Sequence, residues 1–260
     1  MKKLLSIVKP FEELKQLNKL TILIGWLIVL FTCWIISGLE GSTHLFPTLP
    51  QVLNGFHDLW FQGLIPHIGS SLALFFQSVL YSILISLTFC YLSPLPLLKP
   101  IATFVSKLRY LPLTGISFYL SILISDARHL QVGVLVIFMS TFLITSLLGM
   151  INEIPQEEFD HARTLGCNRW EILWELIVKG RIDYVFELIR QNLAIVWMSL
   201  VSIESILVAA GGLGFLIKNS DKLGSSGKVI ALQIVIVLIG LLLDYLLTKG
   251  RKILFRYSKF

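Results

Sequence analysis

The residues of this sequence whose types could do chemistry fall into a few groups. Glu204 is the one charged residue in a largely apolar run, Leu193 to Ala210. His67 and His161 could ligate a metal or move a proton, and Cys33, Cys90 and Cys167 could pair or ligate. Gly224-Ser-Ser-Gly227-Lys228 has the look of a phosphate loop, and a dense run of acids and bases extends from Ile154 to Gly180. Spacing removes most of this chemistry. A phosphate loop of the Walker type needs four residues between its glycines and a Ser or Thr after the lysine. Here two residues separate the glycines and Val229 follows, so the chain is not expected to bind nucleotide or hydrolyse ATP. The cysteines form no C-x-x-C pair, which points to neither a disulfide framework nor a metal centre. Neither histidine has a surrounding ligand cluster, so no metal and no cofactor is expected.

Glu204 remains. An ionised carboxylate within a hydrocarbon layer costs on the order of 2.5 to 3.5 kcal/mol on insertion scales. It must therefore face a cavity or a partner, either lining or gating a path or making a structural hydrogen bond between helices. Its charge argues against direct contact with an anion. Asp244, near the end of the last apolar run, has Arg190, Lys249 and Arg251 as candidate partners.

The elements that must position these groups follow from composition. Of 260 residues, 55% are hydrophobic and 15% charged, against about 25% charged in soluble domains. The fold class predicted is an all-α membrane protein of about six transmembrane helices, roughly 20 residues each. The expected spans are Leu20–Leu39, Ser71–Leu92, Tyr110–Ser125, Gln131–Met150, Leu193–Ala210 and Val229–Leu247. The third is short and carries Pro112, so it is read as a kinked helix reaching back to about Ile101. Glu204 then falls near the middle of the fifth. A short interfacial helix is expected over Pro50 to Gln62, with Trp60 and Phe61 at headgroup level. Gly211, Gly212 and Gly214 are read as a turn closing the fifth span, followed by a polar loop from Lys218 to Lys228 and a basic tail from Lys249 to Phe260. Residues 1–19 read as a lysine-rich amphipathic lead-in, either a surface helix on lipid or a partner-binding helix. They are not expected to be a cleaved signal peptide, because the apolar run begins late and no small-residue site follows. Residues 20–260 form one transmembrane domain in this reading.

The net charge of +6 would suggest nucleic acid in a soluble protein. Here the basic residues sit in loops instead. All but four of the 22 Lys and Arg (the four being Arg128, Lys218, Lys222 and Lys228) fall on one side of the six-span arrangement. The positive-inside rule makes that side the cytoplasm, with both termini and the charged stretch on it.

Within the charged stretch, Pro155 suits the first helical position. Glu157 and Glu158 fall in the first turn, where acids complement the helix dipole. The helix should run to about Leu165 and stop at Gly166 in a left-handed conformation. Asn168 can cap a second helix with Glu171 three residues on, a capping-box pattern. Ile172, Leu173, Leu176 and Ile177 share one face of it, and Gly180 closes it. A helix, a glycine hinge and a second helix can insert into a groove on a soluble partner or can lie on the membrane as an amphipathic connector.

The run Asp160-His161-Ala162-Arg163-Thr164-Leu165-Gly166-Cys-Asn-Arg169-Trp170 resembles the E-A-A-x-x-x-G cytoplasmic loop of permease subunits in binding-protein-dependent ATP-binding cassette (ABC) importers. The form A-R-T-L-G-x-x-R-W is similar to that of the nitrate, sulfonate, taurine and bicarbonate group. Other segments match that group in order. Phe46-Pro-Thr-Leu-Pro50 with Val52-Leu53 resembles its L-P-S-P-x-x-V segment, and His67 with Ser70-Ser71-Leu72 resembles its H-x-x-x-S-L. Leu108-Arg109-Tyr110-Leu111-Pro112 is similar to its L-R-x-I-P. Trp197, Glu204 and Gly212-Leu213-Gly214 match its W…E…G-L-G. Three departures stand out: Asp160 and His161 replace Glu and Ala, Val178-Lys179-Gly180-Arg181 replaces a stretch with L-P, and the region near Ser125 and Asp126 replaces W-F-G.

The resemblance implies a type I (MetI-like) importer permease architecture in the inner membrane, a non-catalytic subunit working as a homodimer or heterodimer. It implies partners: ABC ATPase subunits, a second permease subunit and a periplasmic or lipid-anchored solute-binding protein, besides membrane lipid. The ATPase-coupling loop, within about residues 151–190, would use Glu157, Glu158, Asp160, His161, Ala162, Arg163, Leu165, Gly166, Arg169 and Trp170. Path candidates are Glu204, Trp197, Gly212 and Gly214. The solute would be a small oxyanion or organic metabolite. The alternatives are an ion-coupled secondary transporter, for which no internal repeat is visible, and a membrane scaffold without transport.

Overall fold

The computed structural model describes residues 24–26, 28–29, 31–32 and 47–254. The amphipathic lead-in, most of the expected first span and residues 255–260 lie outside the described residues. Among the described residues there is helix and no strand.

The chain enters through α1 (Leu49–Phe61), which bears the expected interfacial aromatics. Thr48 caps it, with Gln51 reaching back to the Thr48 N–H at 2.9 Å. Among the described residues, four helices are long and apolar enough to cross a membrane: α2 (Leu64–Leu92), then α5 (Ala127–Asn152), α8 (Ile182–Ile206) and α10 (Ser226–Leu254), numbered in chain order. Between α2 and α5 lie α3 (Lys99–Lys107), a 3₁₀ turn (Leu108–Tyr110) and α4 (Leu113–Leu123). The expected kinked third span is thus two separate helices. Leu111 is extended (ψ 130°) ahead of Pro112, because the proline ring pushes its predecessor out of the helical region.

Of the four long helices, α2, α5 and α10 run in one direction and α8 in the other. The Ser82 hydroxyl donates to Val136 O at 3.3 Å and Ser86 to Ser140 O at 3.4 Å, so α2 and α5 run parallel. Asn192 reaches Ser146 and Gln131 reaches Leu207 O, so α8 runs antiparallel to α5. Trp197 reaches Ile236 O, setting α10 antiparallel to α8. On α2 the residues Ser78, Ser82, Ser86 and Cys90 recur every fourth position and are fully buried. Small side chains at that period let two membrane helices approach closely. Leu74, Leu135, Leu143, Leu147, Leu200 and Ile203 fill the core between α2, α5 and α8. By contrast, Leu238, Leu241, Leu242, Tyr245 and Leu246 on α10 are exposed, an outward apolar face suited to a membrane span.

Two expected boundaries move. The fifth span begins at Ile182, not Leu193, and ends at Ile206. Its first three turns carry the charges that suggest a loop, but those charges are neutralised within the helix and by α10. Glu187 accepts from Arg190 and from Arg251 of α10 at 2.7 Å each, and Arg190 also pairs with Asp244. Glu204 therefore sits near the end of its helix, not the middle. The expected polar loop Lys218–Lys228 is mostly a helix as well: α9 (Leu213–Lys222) buries Leu213 and Leu216 against its neighbours, and the turn is confined to residues 223–225. The basic tail likewise begins as helix, since α10 continues to Leu254.

Candidate functional site

Two regions bring the predicted residues together, one at each end of the bundle. At the end where α2 and α5 finish, here the loop end, α6 (Gln156–Thr164) follows α5, and α7 (Arg169–Ile172) runs on as a π-helical stretch (Leu173–Lys179). Pro155 occupies the cap position rather than the first helical position: its φ of −61° is helical but its ψ of 142° is extended. Glu157 and Glu158 take the first turn as expected. Gly166 stops α6 with φ +82°. Its N–H donates to Arg163 O (3.0 Å) and the Cys167 N–H to Ala162 O (3.2 Å), the paired bonds of a Schellman closure. The capping box also forms. Asn168 Oδ1 accepts from the N–H groups of Trp170 and Glu171, and the Glu171 carboxylate accepts from the Asn168 N–H at 2.7 Å.

No residue of α6 is buried. Glu157, Asp160, His161, Arg163, Leu165, Gly166, Arg169 and Trp170 are exposed, and Ala162 is half-buried. Asp160 and Arg163 pair at 2.8 Å on the helix surface. Leu165 and Trp170 show 70% and 62% of their surface, an apolar pair presented beside charges. The second helix anchors the loop: Ile172 and Ile177 are buried, Leu173 and Leu176 partly so, on the one face expected.

Sequence reasoning missed two features here. The second helix widens into π turns, with Gly180 N–H reaching Glu175 O at 3.0 Å. Gly180 does close it, but in a right-handed conformation (φ −67°). The requirement is space, since a Cβ there would stand 2.6 Å from Leu176 O. The second feature is an ion pair from Arg181 to Glu158 at 2.8 Å.

At the opposite, far end, the start of α2 gathers three elements. The Ser71 hydroxyl lies 2.7 and 2.9 Å from the two Glu204 carboxyl oxygens and accepts the Leu213 N–H at 2.9 Å. Glu204 also accepts the Gly214 N–H at 3.0 Å. Both Ser71 and Glu204 are fully buried. His67 Nδ1 accepts the Gly212 N–H at 3.1 Å, and its ring stacks on Phe215. Because a backbone N–H only donates, Nδ1 carries no proton in this arrangement. Arg128 of α5 donates to Ser70 O at 2.7 Å. Asp126 caps α5 by accepting the His129 N–H and ring Nδ1 (2.8 and 2.7 Å), and these bonds hold its carboxyl below the usual carboxylate range.

The glycines are the condition for this clasp. Gly211 and Gly212 have φ of +76° and +108°, forming the turn expected. A Cβ on Gly212 would stand 2.2 Å from the Glu204 carboxyl carbon, and one on Gly214 2.1 Å from Val201 O. Trp197 lies apart from the clasp, edge-on to Phe75 (5.6 Å), at the wall of an open groove of about 710 Å³ between α8 and α10. Gln233, Ser202 and Met198 line the same groove. Gly224 to Lys228, the loop with a phosphate-site look, serves packing instead: Lys228 pairs with Asp58 (3.2 Å), and a Cβ on Gly227 would stand 2.5 Å from Gln51 O of α1.

Among the described residues the chain is an all-helical bundle with four helices of membrane-crossing length, a short helix closed by Gly166 at one end and a glycine-dependent clasp at the other, in the type I importer permease architecture. The chain belongs to the binding-protein-dependent transport system inner membrane components, whose family model matches residues 26–249. It is 30% identical over 245 residues to the taurine transport system permease protein TauC of Escherichia coli, covering 87% of this chain and 86% of that one. It is 30% identical over 120 residues to the nitrate import permease protein NrtB of Synechococcus elongatus, covering 44% and 42%. In fold it resembles the inward-facing MetNI methionine ABC transporter, with a TM-score of 0.61 at 16% identity over 73% of this chain and 94% of that one.

Proposed function

We propose that this chain is the path-forming subunit of an ATP-driven importer, and that α6 is the piece gripped by a separate ATPase subunit. One observation carries this reading: α6 has no fully buried residue, is closed at its C-terminal end by the Gly166 turn, and presents the motif residues Asp160, His161, Arg163 and Leu165 outward. A lever must be stiff, and a Schellman closure leaves little room for fraying. The exposed Leu165 and Trp170 beside charged groups suit a protein groove, since aromatic anchors ringed by polar groups are the usual core of an interface. Arg163, Arg169 and the acids of the first turn supply the polar rim.

A second permease subunit, identical or related, completes the path. A solute-binding protein delivers solute at the far end, and the loop end and both termini lie in the cytoplasm. ATP-driven closure of the ATPases draws the two α6 helices together and turns the path outward. Trp197 lines the path, while Glu204, Gly212 and Gly214 hold its far end in shape. The likeness to taurine and nitrate permeases supports a small sulfonate or oxyanion as solute. This chain then hydrolyses no ATP itself.

The test is affinity capture of the tagged chain from its native membranes in mild detergent, with mass spectrometry of what accompanies it. The expected result is a stoichiometric ATPase subunit, lost when residues 160–166 are deleted in a variant that still folds. Folded protein that brings no ATPase in any of several detergents would sink the proposal.

A further inference from the structure

The turn before α8 carries a contact that fastens α6 to the start of α8. Among the described residues, Glu158 to Arg181 is the only ion pair that joins α6 to anything outside itself. One guanidinium nitrogen of Arg181 stands 2.8 Å from each Glu158 oxygen, and the group lies over the Tyr184 ring at 5.6 Å. Arg181 is the residue that precedes the first turn of α8. The pair is partly sheltered, its side chains 21% and 41% exposed.

Position gives the pair its meaning. Although no residue of α6 is fully buried, Ile154 just before it is, and among the described residues this bridge is the one charged tie from α6 to the rest of the bundle. From Arg181 the chain rises as one uninterrupted helix of 25 residues, about 37 Å at 1.5 Å per residue. Its last turn holds Glu204, locked to Ser71 and Gly214. A displacement of α6 that enters α8 at Arg181 therefore arrives at the far-end clasp. The π turns set this up, because a wide turn changes the direction in which the next residues leave the helix, and Gly180 alone leaves space for it.

We infer that Arg181 is a positioning residue for transport: it fastens α6 to the first turn of α8 through Glu158, so that movement imposed on α6 passes into α8 instead of being absorbed in the intervening turn. The inference rests on the reading of α6 as the ATPase-gripped lever.

The experiment uses the assembled transporter, with Ser202→Cys as reporter on α8 and the native cysteines replaced (Cys33→Ser, Cys90→Ala, Cys167→Ser). A membrane-impermeant maleimide reports the labelling rate of residue 202 with and without ATP and vanadate, which needs no knowledge of the solute. Co-purification of the ATPase is scored in parallel. The expected result is that Arg181→Glu keeps the ATPase but loses the nucleotide-dependent change in labelling by about fivefold or more, the low end of ordinary coupling effects. The double exchange Glu158→Arg with Arg181→Glu restores it. A smaller loss, loss of the ATPase itself, or failure of the double exchange to restore the response overturns the inference. If Arg181→Glu does not fold, the double exchange decides alone by whether it responds like the parent. A parent that captures no ATPase overturns the underlying reading, and that outcome is distinct from all the others.

Discussion

The two ends of this molecule hold their polar groups in opposite ways. Within α6 and α7 at the loop end the bonds are local and wet: Asn168 with Glu171, Gly166 with Arg163, Asp160 with Arg163, each within a few residues and at the surface, with the Arg181–Glu158 bridge as the long-range exception. At the far end they are long-range and dry: Ser71 reaches Glu204 across 133 positions and Leu213 across 142, and both Ser71 and Glu204 are buried. Surface bonds compete with water and contribute little each. Buried polar networks are strong when complete and costly when one member is lost. The loop end is therefore built to be gripped and replaced piecewise, whereas the far end stands or falls as a unit.

Substitutions sharpen this contrast. The largest effect is expected from Gly212→Ala. Its Cβ would collide with the Glu204 carboxyl in a left-handed conformation, so the yield of monodisperse protein on size-exclusion chromatography should collapse. Recovery of normal protein would mean the clasp is not rigid. Ser71→Ala should come next. It leaves the Glu204 carboxyl and the Leu213 N–H short of a partner, a loss of about 1 to 3 kcal/mol, visible as a lower Tm in detergent. An unchanged Tm would show that water or a rearranged Glu204 replaces the hydroxyl.

Changes at the loop end should be milder for folding and sharper for function. Gly166→Val forces a β-branched residue into the left-handed region at a strain of about 1 to 2 kcal/mol. The bundle should fold with nearly its parent Tm while capture of the ATPase falls. Capture at the parent level would separate the stop at Gly166 from partner binding. Asn168→Ala removes a cap of about 0.5 to 2 kcal/mol, confined to α7, and hydrogen exchange should quicken there without spreading to α8.

The smallest effect concerns Asp126. Its carboxyl is held low by the His129 N–H and ring. The stabilisation it gives is therefore present above the unfolded value of about 4 and fades as pH falls through the lower folded value. Comparing acid titrations of Tm for the parent and Asp126→Asn should show a small difference that vanishes below that range. A difference growing as pH falls would reverse the assignment.

The sequence carried the stops and caps of α6 and α7 because what shapes them is short-range. A glycine after Leu165 and an asparagine three before a glutamate are punctuation that needs no tertiary partner, and each forms as expected. The one-residue shift at Pro155 reflects how slightly a cap and a first helical residue differ in φ. The apolar runs likewise declared a membrane bundle, and Asp244 found Arg190 among its candidate partners. The fifth span was read too short at its start because a row of charges looks like loop until Arg251 and Asp244, more than fifty residues away, are seen to neutralise it.

What only the tertiary structure decided is the identity of partners across the bundle. Nothing near Glu204 in the chain says that Ser71 and the Gly214 N–H complete it, or that His67 accepts from Gly212. Nor does the turn Val178 to Arg181 reveal that Arg181 faces Glu158. Such pairings depend on which faces of parallel and antiparallel helices meet, and helix periodicity fixes a face but not its neighbour. Caps, spans and charge sidedness are written within a few residues of where they act, whereas the clasp and the bridge exist only once α2, α6, α8 and α9 are packed together.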